Sequence, residues 1–140
     1  MKKQLINYAC KLPLVGITGP AGSGKNTVAD IISSEFDIVQ YAFAQPLKQM
    51  LPQGLGLNRH DTDGYRKEQV DPRYGKSPRQ MMQTLGTEWG RNMVHPDIWV
   101  MATEDYCQRL HAENHGLSIV LTDVRFDNEA DWVRKNGGVI

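Results

Sequence analysis

Gly19-Pro20-Ala21-Gly22-Ser23-Gly24-Lys25 restricts the fold of this chain more than any other segment. Gly19, four intervening residues and Gly24-Lys25 follow the spacing of a phosphate-binding loop. Such a loop works only between a strand and a helix, and the flanks agree. Leu12 to Thr18 reads as a mainly apolar strand, suited to a parallel sheet covered on both faces, with Pro13 confined to its start. From Lys25 onward Val28, Ile31 and Ile32 recur at helical spacing, with Ala29 beside them. Glycines let the chain curl so that several N–H groups point inward, and the next helix adds its positive end. Lys25 brings a point charge to the outer phosphates of a nucleotide. Fixed donors of this kind stabilise charge that shifts among phosphoryl oxygens.

One position departs from the usual pattern, in which a Ser or Thr after the lysine places a hydroxyl on magnesium. Asn26 stands there, and Thr27 follows. Asn26 offers a carbonyl oxygen to the metal or to a bridging water, whereas Thr27 offers a hydroxyl only if the helix start is shifted. The magnesium ligand is therefore open between them. The expected cradle itself comprises Gly19, Ala21, Gly22, Ser23, Gly24, Lys25, Asn26 and Thr27.

A second candidate lies in Ile119-Val120-Leu121-Thr122-Asp123-Val124-Arg125. An acid after an apolar strand can reach the magnesium end of a nucleotide through water, so Asp123 is a Walker-B-like candidate. Its competing reading is an ordinary helix or turn cap. Arg125 sits where ligands bind in open α/β sheets and can grip a phosphate bidentately. Its competing reading is a surface ion pair with Asp127 or Glu129.

The rest of the chain alternates strands with helices. Ile38 to Phe43 reads as a second strand. Pro46 opens a helix over Leu47 to Leu51, which Pro52, Gly54 and Gly56 end. Residues 58–76 are crowded with charge and read as a solvated, partly mobile excursion, with a lid-like role as the alternative. Ser77-Pro78-Arg79-Gln80 has the form of a capping box with proline at the first helical position. Met81, Leu85 and Trp89 then line one face, and Arg79, Gln83, Gly86 and Gly90 the other. The two glycines either permit close approach of another backbone or a ligand, or mark a fraying end.

Pro96 opens a further helix with Ile98, Ala102, Tyr106 and Leu110 as its stripe, and Gly116 follows its end. Leu117 to Thr122 is the third strand. Asp127 caps a last helix with Ala130 and Val133 inward, and Val139-Ile140 begins another strand. The expected fold class is α/β: a P-loop NTPase-like three-layer sandwich with a mainly parallel sheet, incomplete at its C-terminus. Residues 1–11 form an extension and 12–140 the domain.

Composition excludes several classes. Sixteen basic and sixteen acidic side chains leave no net charge, so nothing global favours nucleic acid or an anionic membrane. Cys10 and Cys107 have no metal-ligand spacing and read as inert thiols in a reducing cytoplasm. No apolar run reaches the roughly 18 residues of a membrane span, and no signal peptide is expected.

Five stretches together resemble the phage-type deoxynucleoside monophosphate kinases over roughly residues 12–140. They are GSGKNT, FAQPLK at 43–48, SPRQMMQTLGTEWGR at 77–91, HPDIWV at 95–100 and TDVRFDNEAD at 122–131. The resemblance implies ATP-dependent phosphoryl transfer, with magnesium, to a deoxynucleoside monophosphate. It implies ATP-phosphate roles for Gly22, Gly24, Lys25, Asn26 and Thr27, although members of the family often carry an acid at the place of Asn26. Phe43 and Lys48 are implied near the acceptor, Arg79 and Arg91 as acceptor-side arginines, and Trp99 as a packing or base-side residue. Gln83, on the helix side of Arg79, joins that substrate set. Arg125 resembles a phosphate contact and Asp123 the magnesium-side acid. Lys25, Arg79, Arg91 and Arg125 make the expected catalytic set.

Family members continue beyond the Gly-Gly-Val-Ile segment, so the chain reads as C-terminally truncated. A homodimer is one way to cover its open sheet edge. The rival readings are another P-loop small-molecule kinase and a nucleotide-binding module with little activity. The resemblance also points to a phage or prophage origin.

Overall fold

A computed structural model describes residues 14–20, 22–114 and 117–140. In chain order the elements are β1 (Leu14–Gly16), α1 (Lys25–Glu35), β2 (Ile38–Tyr41), α2 (Gln45–Leu55) and α3 (Arg59–Asp63). A 3-10 turn (Tyr65–Glu68), α4 (Pro78–Gln83) and a π-helix (Thr84–Val94) follow, then α5 (Ile98–Glu113), β3 (Ser118–Leu121) and α6 (Asp127–Lys135). The chain divides into two compact units, one of Met1–Phe43 with Val100–Ile140 and one of Ala44–Trp99.

The first unit holds the sheet. Its three strands are parallel in the order β1-β3-β2, so the last strand in sequence is the central one. Leu14 stands opposite Ile119, and Tyr41 opposite Leu121. Val139 adds a parallel bridge to Val15 on the other side of β1, with Gly16 N–H donating to Val139 O at 2.7 Å. The strand expected at 139–140 thus begins as predicted. β3 is apolar throughout because both of its faces are covered: Ile119, Val120 and Leu121 are all buried. They join Leu14, Phe43, Val100, Cys107, Val124 and Val133 in the core.

Two helix faces differ from the expected stripes. On α1 the buried residue is Ala29, while Val28 and Ile31 are exposed. A small side chain at the contact lets the helix lie close, and Gln40 Nε2 of β2 reaches Asp30 Oδ1 at 3.0 Å and Ser33 Oγ at 2.9 Å. On α5 the buried positions include Thr103, Cys107 and His111, one residue past the expected Ala102, Tyr106 and Leu110. Polar side chains on the buried face hide it from a count of apolar residues. Tyr106 stacks on Tyr41 at 4.0 Å between ring centroids, and Trp132 of α6 meets Phe43 edge-on at 6.2 Å.

The expected cap of α6 also changes. Asp127 is the first helical residue, and the N-cap is Phe126. The capping carboxylate is Glu129, whose Oε1 accepts from Arg125 N–H and Phe126 N–H at 2.9 Å each. Glu129 is buried at 2% exposure. These paired backbone donors offset part of the desolvation of its carboxylate.

In the second unit, α2 runs through Pro52 to Gly56 instead of ending at Pro52. Proline at this place costs the helix one i→i−4 hydrogen bond, and the backbone donors that follow still carry it on to its end. Gly56 closes the helix at φ 71° and donates its N–H to Pro52 O at 3.2 Å. Residues 58–76 are largely exposed, as expected, but they are built of short elements. Asn58 and Asp61 form a reciprocal capping box for α3, Leu57 and Thr62 are buried, and an Asp71–Lys76 bridge closes a turn.

The Ser77 box forms as expected: Gln80 N–H donates to Ser77 Oγ at 3.2 Å, and Ser77 N–H to Gln80 Oε1 at 2.9 Å. Beyond it the helix widens into the π form, and its buried residues are Gly86 and Gly90. The expected Met81, Leu85 and Trp89 face is not the buried one, since Trp89 is exposed.

Candidate active site

The loop is rooted where β1 and β3 stay paired past their ends. Ile17 N–H donates to Leu121 O at 2.8 Å, and Val124 N–H to Ile17 O at 3.1 Å. From there Gly22 and Gly24 take φ values of 78° and 90°, and a Cβ at either would meet nothing within 4 Å. They are glycine for conformation, since a left-handed backbone is costly for other residues. Ser23 N–H donates to Pro20 O at 3.2 Å and tightens the turn. Lys25 folds back over it, its Nζ donating to Gly19 O at 2.7 Å and Pro20 O at 2.8 Å. Ala21 lies outside the described residues.

Gly24 is the N-cap of α1, and no side chain caps this terminus. No acidic residue occupies its first turn either. Neither a side-chain cap nor an acid of its own first turn offsets the N-terminal donors and the positive end of this eleven-residue helix, and an anionic ligand suits them. Asn26 and Thr27 are exposed in that same turn.

Asp123 sits at the carboxyl end of the central strand, beside the root of the loop. Its Oδ1 accepts the Phe43 N–H at 2.7 Å, which ties the ends of β3 and β2 together. This bond is a long-range tie between two strand ends, not the helix or turn cap of the competing reading. Arg125 follows with an exposed side chain and with its backbone N–H bound by Glu129. Phe43 has its ring in the core, so its side chain supports the site from beneath.

The expected acceptor residues Lys48, Arg79, Gln83, Arg91 and Trp99 all lie in the second unit. Arg79 Nη1 pairs with Glu68 Oε1 at 3.0 Å, both side chains being exposed. Gln83 is exposed at the end of α4, and Lys48 and Arg91 are half-buried. Trp99 is 5% exposed and donates its Nε1–H to Gly86 O at 2.8 Å. Sequence reasoning missed Glu68 as the partner of Arg79, and Glu129 as a cap. The signal for the Trp99 contact was the four-residue spacing of Gly86 and Gly90.

An open polar basin of about 590 Å³ also lies in this unit, among Asn58, Asp61, Arg66, Gln69, Asp71 and Arg73. Arg73 there binds Asp71 at 2.8 Å and lies 5.1 Å over the Tyr74 ring. The Arg73 side-chain hydrogen bond holds the Asp71 carboxyl below the usual carboxylate range.

Among the described residues, no group of three or more His, Cys, Asp or Glu is arranged to hold a metal. Magnesium does not require such a cage, because it keeps several waters and binds through one or two protein groups plus phosphates.

The family profile of deoxynucleotide monophosphate kinases matches residues 13–75 and 71–140. The chain belongs to this family. Membership makes it a kinase-type enzyme, and the small parallel sheet with its loop after β1 agrees with a P-loop NTPase-like topology. The two matched stretches overlap at 71–75, in the turn that the Asp71–Lys76 bridge closes. A protein of Acanthamoeba polyphaga mimivirus, provisionally named a deoxynucleotide monophosphate kinase, is 31% identical over 137 residues. That match spans 91% of this chain and 71% of the relative. The deoxynucleoside-5'-monophosphate kinase of Escherichia phage T5 is 26% identical over 183 residues, spanning 87% of this chain and 72% of the relative. No solved structure matches. Among the described residues, no helix is long and apolar enough to cross a membrane.

Proposed function

We propose that this chain transfers the terminal phosphoryl group of ATP to a deoxynucleoside monophosphate, giving ADP and the deoxynucleoside diphosphate. The observation that carries the reading is the loop at 19–27, in a chain that belongs to this kinase family. Its glycines hold an open turn against an uncapped helix terminus, with Lys25 in the first turn. ATP lays its outer phosphates on the N–H groups of residues 22–27. Lys25 then exchanges the Gly19 and Pro20 carbonyls for phosphate oxygens. Mg2+, bound with ATP, offsets charge on the phosphates. Asn26 or Thr27 would hold it from the loop, and Asp123 through water from β3.

On the acceptor side, Arg79, Arg91 and Lys48 receive the monophosphate, and Gln83 serves its nucleoside end. Arg125 takes a phosphate from the end of β3. An acceptor phosphate oxygen attacks the terminal phosphorus in line, and the bond from that phosphorus to the bridging oxygen of ADP breaks. No covalent enzyme intermediate forms. The acceptor oxygen is already largely ionised near neutral pH, so positioning and charge neutralisation supply the rate. Both relatives are viral, which supports a virus-encoded activity, and a cytoplasmic place of action is part of the same proposal. β2 is an edge of the described sheet, which favours a homodimer as the working form. Sedimentation showing only monomer at assay concentration would remove the dimer.

The test is ADP release by the purified chain, with ATP, Mg2+ and each of the four deoxynucleoside monophosphates. Turnover that depends on at least one of them is expected. Transfer to small alcohols only would place the chain among other small-molecule kinases. ATP binding without transfer to any acceptor would make it a nucleotide-binding module.

A further inference from the structure

The two glycines of the π-helix have ordinary backbone angles, so conformation does not require them. Space does. A Cβ on Gly90 would lie 2.6 Å from Trp99 Cζ2 and 3.0 Å from its Cε2. A Cβ on Gly86 would lie 2.9 Å from Leu47 Cδ1. The Trp99 indole therefore rests directly on the helix backbone, and its Nε1–H completes the contact by donating to Gly86 O at 2.8 Å. All of these groups lie within one compact unit.

The helix they hold is of the π form over eleven residues. Such turns are usually brief, and they concentrate at functional sites because the shifted hydrogen-bond register re-aims the side chains that follow. Here the register runs to the end of the element, where His95 N–H donates to Gly90 O at 2.9 Å. Arg91 is the residue after Gly90, and Lys48 is the residue after Leu47. The contact that keeps the helix in this register thus touches the neighbours of both cations.

We infer that Trp99, seated on Gly86 and Gly90, is a positioning residue that fixes the π register and thereby aims Arg91 at the phosphate of the acceptor monophosphate, while Leu47 against Gly86 sets the same helix against the α2 turn that carries Lys48. This inference rests on the proposed reading of Arg91 and Lys48 as acceptor residues. Trp99 itself touches no substrate in it. The indole acts through the helix backbone, which explains why so bulky a side chain is buried against two glycines.

The two glycines make a graded test. Leu47 Cδ1 is the movable end of an aliphatic side chain, whereas the Trp99 ring is buried and cannot retreat. Gly90→Ala is expected to raise KM for the deoxynucleoside monophosphate about tenfold, and Gly86→Ala about threefold, with KM for ATP within about twofold. Trp99→Phe keeps a ring on the glycines and deletes the donation to Gly86 O. It should fall between the two.

Melting temperature and active-site concentration, measured on the same samples, separate this outcome from misfolding. Loss of stability with both KM values unchanged would overturn the inference, because the contact would then serve packing alone. Equal rises in both KM values would overturn it too. If the unaltered chain transfers phosphate to no deoxynucleoside monophosphate, the functional reading fails first and the inference falls with it. Turnover by the unaltered chain with unselective variants sinks the inference alone.

Discussion

The phosphate loop and the π-helix each contain a pair of glycines that are needed for opposite reasons. Gly22 and Gly24 have left-handed backbones and empty space around them. Gly86 and Gly90 have ordinary backbones and no space. The first pair shapes a local turn that short-range sequence already specifies. The second pair exists for an indole nine residues beyond Gly90 and a leucine from another helix. A loop that receives a ligand is built to stay open, and a helix that aims side chains is built to be gripped.

The largest effect expected from this contrast belongs to Lys25. Lys25→Ala should lower kcat/KM for transfer by about 100- to 1,000-fold, the loss typical of one fixed charge-stabilising donor. Stability should stay within about 0.5 kcal/mol, as for a residue outside the core. ADP release and urea unfolding on the same samples check both halves. A large loss of stability would mean that the Gly19 and Pro20 carbonyl contacts hold the fold, and the loop would lose its distinction from the π-helix.

Glu129 comes next, and it crosses the comparison. It lies in the unit of the loop, yet it works by tertiary burial. Glu129→Ala leaves the Arg125 and Phe126 amides without their acceptor and should cost about 2–3 kcal/mol. Glu129→Gln retains an acceptor oxygen and should cost less. Urea midpoints distinguish them, and equal costs would show that the charge, not the acceptor, is what the cap needs.

The glycines themselves give a crossed prediction of about 1–2 kcal/mol. Asparagine tolerates a left-handed backbone better than alanine, so Gly24→Asn should be milder than Gly24→Ala. At position 90 the order should reverse, because the larger side chain overpacks the Trp99 contact. The same order at both sites would break the distinction between conformational and steric glycines.

The smallest effect is on pH. Burial pushes the Cys107 thiol from 9.0 up to about 12. Burial, with Tyr106 beside it, pushes the Tyr41 hydroxyl from 10.0 to about 12. In both, the folded state holds its proton to higher pH than the unfolded chain. Their contribution is therefore complete below about pH 9 and is lost as pH rises toward about 12. Urea unfolding at pH 8 and pH 10 should show the decline, and Cys107→Ala should flatten it.

Particular residues show how far the sequence could be read. The loop was legible because its chemistry is contiguous, and the Ser77–Gln80 box because capping spans four residues. β3 was legible because a strand covered on both faces is apolar throughout. Helix faces were less so. Thr103 and His111 are buried polar residues, Val28 and Ile31 are exposed apolar ones, and an apolar count points the wrong way at each. Pro52 was read as a stop, although the helix gives up one hydrogen bond there and runs on to Leu55.

By itself, then, the sequence determined the phosphate turn, the alternation of strands and helices, and the family. Each rests on neighbours within a few residues or on a continuous pattern. The three-dimensional structure decided the central place of β3, the commitment of Asp123 Oδ1 to Phe43, the capping by Glu129, and which side chain fills the space that Gly86 and Gly90 leave. Those depend on groups distant in sequence, whose approach is governed by packing volume and hydrogen-bond geometry, and no local pattern records either.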